Sequence, residues 1–273
     1  MVLAIAGLPL ECLPSRNEGN EMTTKQTLKY QLLAAQCGFG FEILYTIFWG
    51  WFGHNLPPAS PGLSAQALAA HFTLHHNAIL FGNSMAALVG VLWIPWTAQL
   101  TVVMWRIEGS SPILTIIQVI GGILTAWVVM FCPAIWAAAA FRTDVDPNAI
   151  RTLNDLGFIL FNITYAVTSV QAIAAGLVGL ADKSPLPVFP RWVCCWAIFT
   201  GLSFVPLTAM PFFKTGPLAW NGAISFWSLF GIYFFWTASM GICMAKDAAK
   251  RLRGKRDLDM QRQSRPGHAG ASA

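Results

Sequence analysis

The residues able to do chemistry in this chain are few. The first is Glu42, set in Gly38-Phe39-Gly40-Phe41-Glu42-Ile43-Leu44-Tyr45-Thr46 inside an apolar run from Tyr30 to Gly53. A carboxylate in the middle of such a run is costly to bury, so by default it marks a titrating group or an ion ligand. Helical spacing places Gly38, Tyr45, Thr46 and Trp49 on the same face, giving Glu42 polar company. A second set begins at Arg151 and Asp155, which stand one turn apart on one face. Asn162 lies two turns beyond Asp155 and Ser169 a heptad further, so a polar stripe runs down this helix. Asn77 and Asn83 make a shorter stripe in an earlier segment. Glu42, Asn83, Arg151, Asp155 and Asn162 are the expected ligand- or ion-binding residues. The competing role for each is a hydrogen bond between helices, with Glu42 as a neutral acid bridging two of them.

A third group is His71-Phe72-Thr73-Leu74-His75-His76. On a helix His71 and His75 lie one turn apart and can share a metal, with His76 beside them. The pattern resembles one histidine box of the membrane desaturases and hydroxylases. Their di-iron site needs several boxes, and only His54 and His268 remain here, so the resemblance does not extend to the whole chain. The alternative is a set of interfacial histidines at a helix start. No particular cofactor is implied.

The elements that must position these residues follow from composition. The chain has 273 residues, 55% hydrophobic and 11% charged, whereas a soluble domain carries about a quarter charged residues. The apolar residues come in runs, several of which reach the roughly 20 residues that cross a bilayer as a helix. This predicts an all-α integral membrane protein, a bundle of six transmembrane helices at about 30–53, 76–105, 113–141, 150–180, 192–213 and 218–244. Residues 1–29 form an N-terminal segment, with the true start placed at Met22. Residues 246–273 form a basic tail, expected to be disordered. Lysines and arginines set the orientation: with both termini cytoplasmic, the outer connections hold only Arg142, Arg151 and Lys214 of the 17. Trp49, Trp51, Trp136 and Trp220 then mark one interface, and Trp105 and Trp192 the other. The six cysteines lie mostly in apolar spans and imply no disulfide framework.

Local signals refine this plan. Asp146 before Pro147 is a helix cap followed by proline at the first helical position. Ser64 restarts a helix along the surface after the Pro57-Pro58 and Pro61-Gly62 breaks. Pro133 interrupts the third span and needs a neighbour to satisfy the carbonyl it frees. Pro206 and Pro211 mark a kink in the fifth. The function expected from these features is binding or transport of a small molecule or ion through an outward-opening polar cavity bounded by the first, second and fourth spans. The alternatives are a noncatalytic membrane subunit or assembly partner and a metal-dependent or redox membrane enzyme. The expected partners are the bilayer, anionic lipid at the basic tail, a small-molecule or ion ligand, and further subunits in a homo- or hetero-oligomer. Nucleic acid is not among them, because the net charge of +5 is concentrated in the tail. The expected location is a plasma or bacterial inner membrane.

Overall fold

The computed structural model describes residues 24–142, 144 and 146–264, the side chains of 258–264 excepted. The proposed start at Met22 lies outside these residues. Among them there is no strand, and six helical stretches are long and apolar enough to cross a membrane: Thr24–Phe52, His76–Glu108, Ile113–Ala140, Pro147–Ala181, Arg191–Phe212 and Ala223–Asp257. The chain is thus an all-helical protein compatible with multi-pass membrane insertion. We call the end carrying the 53–75 connection the histidine end, and the opposite one the tail end.

The spans are built from α1 (Thr24–Tyr45), α2 (Ala65–Leu74), α3 (His76–Val89), α4 (Trp93–Glu108), α5 (Ile113–Ala140), α6 (Pro147–Ile163), α7 (Tyr165–Ala181), α8 (Arg191–Ser203) and α9 (Leu229–Ser264). Side-chain caps account for two helix starts. The Ser64 hydroxyl accepts from the Ala67 N–H at 3.2 Å and starts α2, which packs on α6. Asp146 accepts from the Asn148 N–H at 2.9 Å and starts α6, with Pro147 at its first position. At the tail end Glu108 accepts from the N–H groups of Leu114 and Thr115, both at 2.8 Å, closing the first turn of α5.

Five of the six spans leave α geometry partway, and sequence explains most of the breaks. In the second, Pro95 cannot donate to the Val91 carbonyl and crowds it, and residues Gly90–Leu92 tighten to a 3₁₀ turn. In the fourth, Asn162 Nδ2 donates to the Phe158 carbonyl at 2.7 Å and Thr164 Oγ1 to that of Leu160 at 2.8 Å. Side chains that take backbone carbonyls four residues back loosen and bend a helix, and here α6 gives way to α7 at Thr164. Pro206 and Pro211 end α8 in two 3₁₀ turns, Val205–Thr208 and Met210–Phe212. The first span widens to a π-helix over Thr46–Phe52, and the sixth begins as one over Ala223–Ser228.

Three details differ from expectation. The sixth span starts at Ala223 rather than Leu218, because residues 218–222 turn back and the Ile224 and Ser225 N–H groups donate to the Pro217 carbonyl. Among the described residues of the basic tail, α9 continues to Ser264. Its lysines and arginines are good helix formers, and Asp247 pairs with Arg251 one turn on at 3.0 Å and with Arg106 of α4 at 2.8 Å. The tryptophans also divide. Trp51, Trp105 and Trp192 are exposed as interfacial residues should be, but Trp49, Trp136 and Trp220 are buried core.

Close helix contact at the histidine end depends on Gly82. A Cβ there would meet backbone atoms of Phe48, Phe52 and Gly53, whereas one on Gly231 would meet nothing within 4 Å. Gly82→Ala should therefore destabilise the fold by roughly 1–3 kcal/mol, while Gly231→Ala should leave it within about 0.5 kcal/mol. Thermal unfolding of both variants in the same detergent measures the contrast.

Candidate functional site

Proline inside a helix leaves a carbonyl without its donor, and here that carbonyl leads to the site. Pro133 cannot donate to Val129, and the Tyr45 hydroxyl, fully buried on the first span, donates to the Val129 carbonyl at 3.1 Å. The bond fixes Tyr45 at the wall of a cavity between the helices. The first span contributes Phe41, Tyr45 and Trp49, α5 contributes Thr125, Val128 and Val129, and the fourth span contributes Phe158, Phe161, Asn162, Thr164, Tyr165 and Thr168. The end of the fifth span adds Phe204 and Leu207. The sixth span supplies Ser225, Phe226, Leu229, Phe230, Tyr233 and Phe234. About 110 Å³ inside is open to water-sized groups. One water needs roughly 10–15 Å³ by that measure, so there is room for a ring system rather than a solvent molecule alone.

The lining is aromatic and carries no charge. Trp49 stacks on Phe161 at 5.4 Å and on Phe230 at 6.1 Å, and touches Trp136 at 6.0 Å. Tyr233 stacks on Trp93 at 5.5 Å. Most polar groups in the wall satisfy one another: Thr125 and Thr168 share a hydrogen bond of 2.9 Å, and Asn162 holds its own helix. Two donors are left over. The buried Tyr233 hydroxyl and the Trp49 indole N–H have no acceptor.

The expected binding residues are dispersed. Asn162 lines the cavity. Asn83 is fully buried at the histidine end, accepting from Asn55 at 3.3 Å and donating to the Ile79 carbonyl at 2.9 Å, which is a structural bond between a connection and a helix. Arg151 is exposed and donates to Asn148 at 3.2 Å, one turn from a half-buried Asp155. Glu42 is half-buried toward α9, near Tyr233 and Ala238, and its Oε1 has no hydrogen-bond partner. No hydrogen bond joins Glu42 to Asn83, Arg151, Asp155 or Asn162 among the described residues. The cavity differs from the expected one in walls and character: it takes in the third, fifth and sixth spans, leaves out the second, and is aromatic where a polar interior was expected. The signals for its walls were Pro133, Pro206 and Pro211, together with the aromatic density from Phe226 to Trp236.

A separate cluster forms at the histidine end. His54 turns the chain after Gly53 in the left-handed region, φ 56°. Its ring stacks on His75 at 4.0 Å and meets His71 edge-on at 5.5 Å, with His71 and His75 4.9 Å apart. His54 thus occupies the place expected for His76, which instead sits in a shallow crevice with Phe72, Ala139, Arg142 and Ile150. Helical phase explains the change: His76 begins α3 after a break at His75 and points away. Among the described residues no three histidine, cysteine, aspartate or glutamate side chains are disposed to hold a metal ion. No family model matches the chain, and comparison with characterised proteins and with solved structures finds no match.

Burial, and then repulsion from neighbouring histidines, holds His54 and His71 below the ordinary histidine range. Unfolded histidine takes its proton near about 6.5, so below that pH the unfolded chain binds more protons than the folded cluster. The cluster's contribution to stability is full above that value and is lost as pH falls toward the depressed folded values. Hydrogen exchange over residues 53–75, corrected for intrinsic rate, should be faster at pH 5 than at pH 7.5, and His54→Gln should shrink the difference. Equal protection at both pH values would contradict this.

Proposed function

We propose that this chain is a membrane protein with both termini cytoplasmic that binds a small molecule in the aromatic cavity, as the binding step of a transport or carrier role. The observation that carries the proposal is the convergence of irregular backbone. The π-helix of the first span, the break at Thr164, the 3₁₀ end of the fifth span and the π-start of the sixth all supply cavity residues. Non-helical backbone at membrane depth is tolerated where it is buried or lines a cavity, and π segments recur at functional sites. Four such departures around one void favour a binding site over a packing defect.

Several features support the remaining parts of this reading. The lysine and arginine distribution favours cytoplasmic termini. Glu42 sits one turn from Tyr45 and beside Tyr233, which suits a group that senses occupancy. The helical tail, with Lys246, Lys250, Arg251 and Arg253, suits anionic lipid on the cytoplasmic face.

The test is native mass spectrometry of protein extracted gently from its own membrane. Wild type should carry an adduct of small-molecule mass in addition to lipid, and Val128→Phe, which fills the void from α5, should lose it. A bare mass for wild type under conditions that retain lipid adducts would contradict the proposal.

A further inference from the structure

Among the described residues Glu42 is the one carboxyl set deep within a span, at the contact of α1 with α9. This step rests on the membrane placement proposed above and not on the cavity. The polar groups that share its helix face are engaged elsewhere. The Thr46 hydroxyl donates to the Glu42 backbone carbonyl at 2.7 Å, and the Tyr45 hydroxyl donates to Val129. Glu42 Oε1 is buried and takes no hydrogen bond, and the Tyr233 hydroxyl beside the carboxyl is buried without a partner as well. Tyr233 itself is packed against the rings of Trp93 at 5.5 Å and Trp236 at 5.9 Å. The backbone group that reaches the carboxyl is at Ala238, and inside α9 its N–H already serves the carbonyl four residues back.

Nothing on the neighbouring helices balances a negative charge here. On the elements packed against α1, Arg106 and Glu108 of α4 and the charged residues of α9 from Lys246 onward lie toward the tail end, where Arg106 is bonded to Asp247. His76 begins α3 at the histidine end, and on α1 Lys25 and Lys29 stand about three and a half turns or more before Glu42. The other titratable groups are phenols and thiols: Tyr30, Cys37 and Tyr45 on α1, and Tyr233 and Cys243 on α9. An ionised carboxylate in hydrocarbon without a counter-charge is costly, whereas the protonated acid is neutral and can both donate and accept. An acid kept only to bridge helices would give its proton to a fixed acceptor, and Glu42 makes no such bond among the described residues. A metal cation would want several oxygen ligands at once, and only the carboxyl and the Tyr233 hydroxyl are at hand.

We infer that Glu42 is a proton-binding site: a carboxylic acid that carries an exchangeable proton at neutral pH where α1 meets α9. The side chain is only half-buried, so the site is within reach of a small lipid-soluble reagent. Tyr233 is common to this site and to the cavity wall.

The test is infrared difference spectroscopy of the full chain in nanodiscs at neutral pH, wild type minus Glu42→Gln, in light and in heavy water. Thermal unfolding checks that the variant folds. The expected difference spectrum holds the C=O band of a protonated carboxyl, and that band shifts in heavy water. Carboxylate bands in its place mean an ionised Glu42, and a C=O band unmoved by heavy water means a locked structural acid; either overturns the proton assignment. A second measurement needs no variant. Lipid-soluble dicyclohexylcarbodiimide should modify Glu42 in wild type, the acid O–H adding whole across a C=N bond, and a water-soluble carbodiimide should not, as mass spectrometry of the peptide reads. Equal modification by both overturns the membrane placement of this face. Protection of Glu42 by sodium chloride but not by choline chloride at the same ionic strength assigns the site to a metal cation and overturns the proton, while the membrane placement stands.

Discussion

The hydrogen bond from the Tyr45 hydroxyl to the Val129 carbonyl is the contact on which the centre of this molecule depends. Inside a bilayer no water replaces a lost helical bond, and an unsatisfied carbonyl is worth several kcal/mol of penalty. Pro133 creates that debt in the third span, and only a donor from another helix can meet it. The first span therefore has to approach α5 at Tyr45. Trp49, one turn on, is carried into the core with it, although its place in the sequence marks it for an interface.

The same constraint governs the other breaks. Asn162 and Thr164 hold carbonyls of their own helix, and Ser225 donates to the Leu218 carbonyl at 2.9 Å where the sixth span begins. Each device tolerates a bend by satisfying backbone locally. Each also spends the polar group that does so, which is why a wall containing threonine, asparagine and tyrosine presents an apolar surface to the void. Trp49 Nε1 and the Tyr233 hydroxyl are buried without a hydrogen-bond partner.

Much of the scaffold could be read in one dimension. Six spans, the caps at Ser64 and Asp146, and the proline positions depend on local composition and spacing, and the structure places an apolar helix over each expected stretch, though the first begins at Thr24 and the last runs on to Asp257. The cavity could not be read this way, because it arises from the stand-off between α9 and the third and fourth spans and from π segments that no residue type announces. A carboxylic acid inside an apolar run drew attention to Glu42, yet it is not among the residues that line the void. The histidine pair was visible as spacing within α2, but its third member, His54, comes from the preceding connection through a left-handed turn. Partners across a chain reversal leave no periodic trace.

The central claim is that an aromatic void exists within the bundle, distinct from the surrounding lipid. Xenon occupies dry apolar cavities and reports its surroundings through its resonance, so ¹²⁹Xe NMR of the protein in nanodiscs tests the claim directly. The account predicts a saturable bound-xenon signal, separate from xenon dissolved in lipid and lost when Leu229→Phe fills the void. A single lipid-like resonance, unchanged between wild type and that variant, would contradict it.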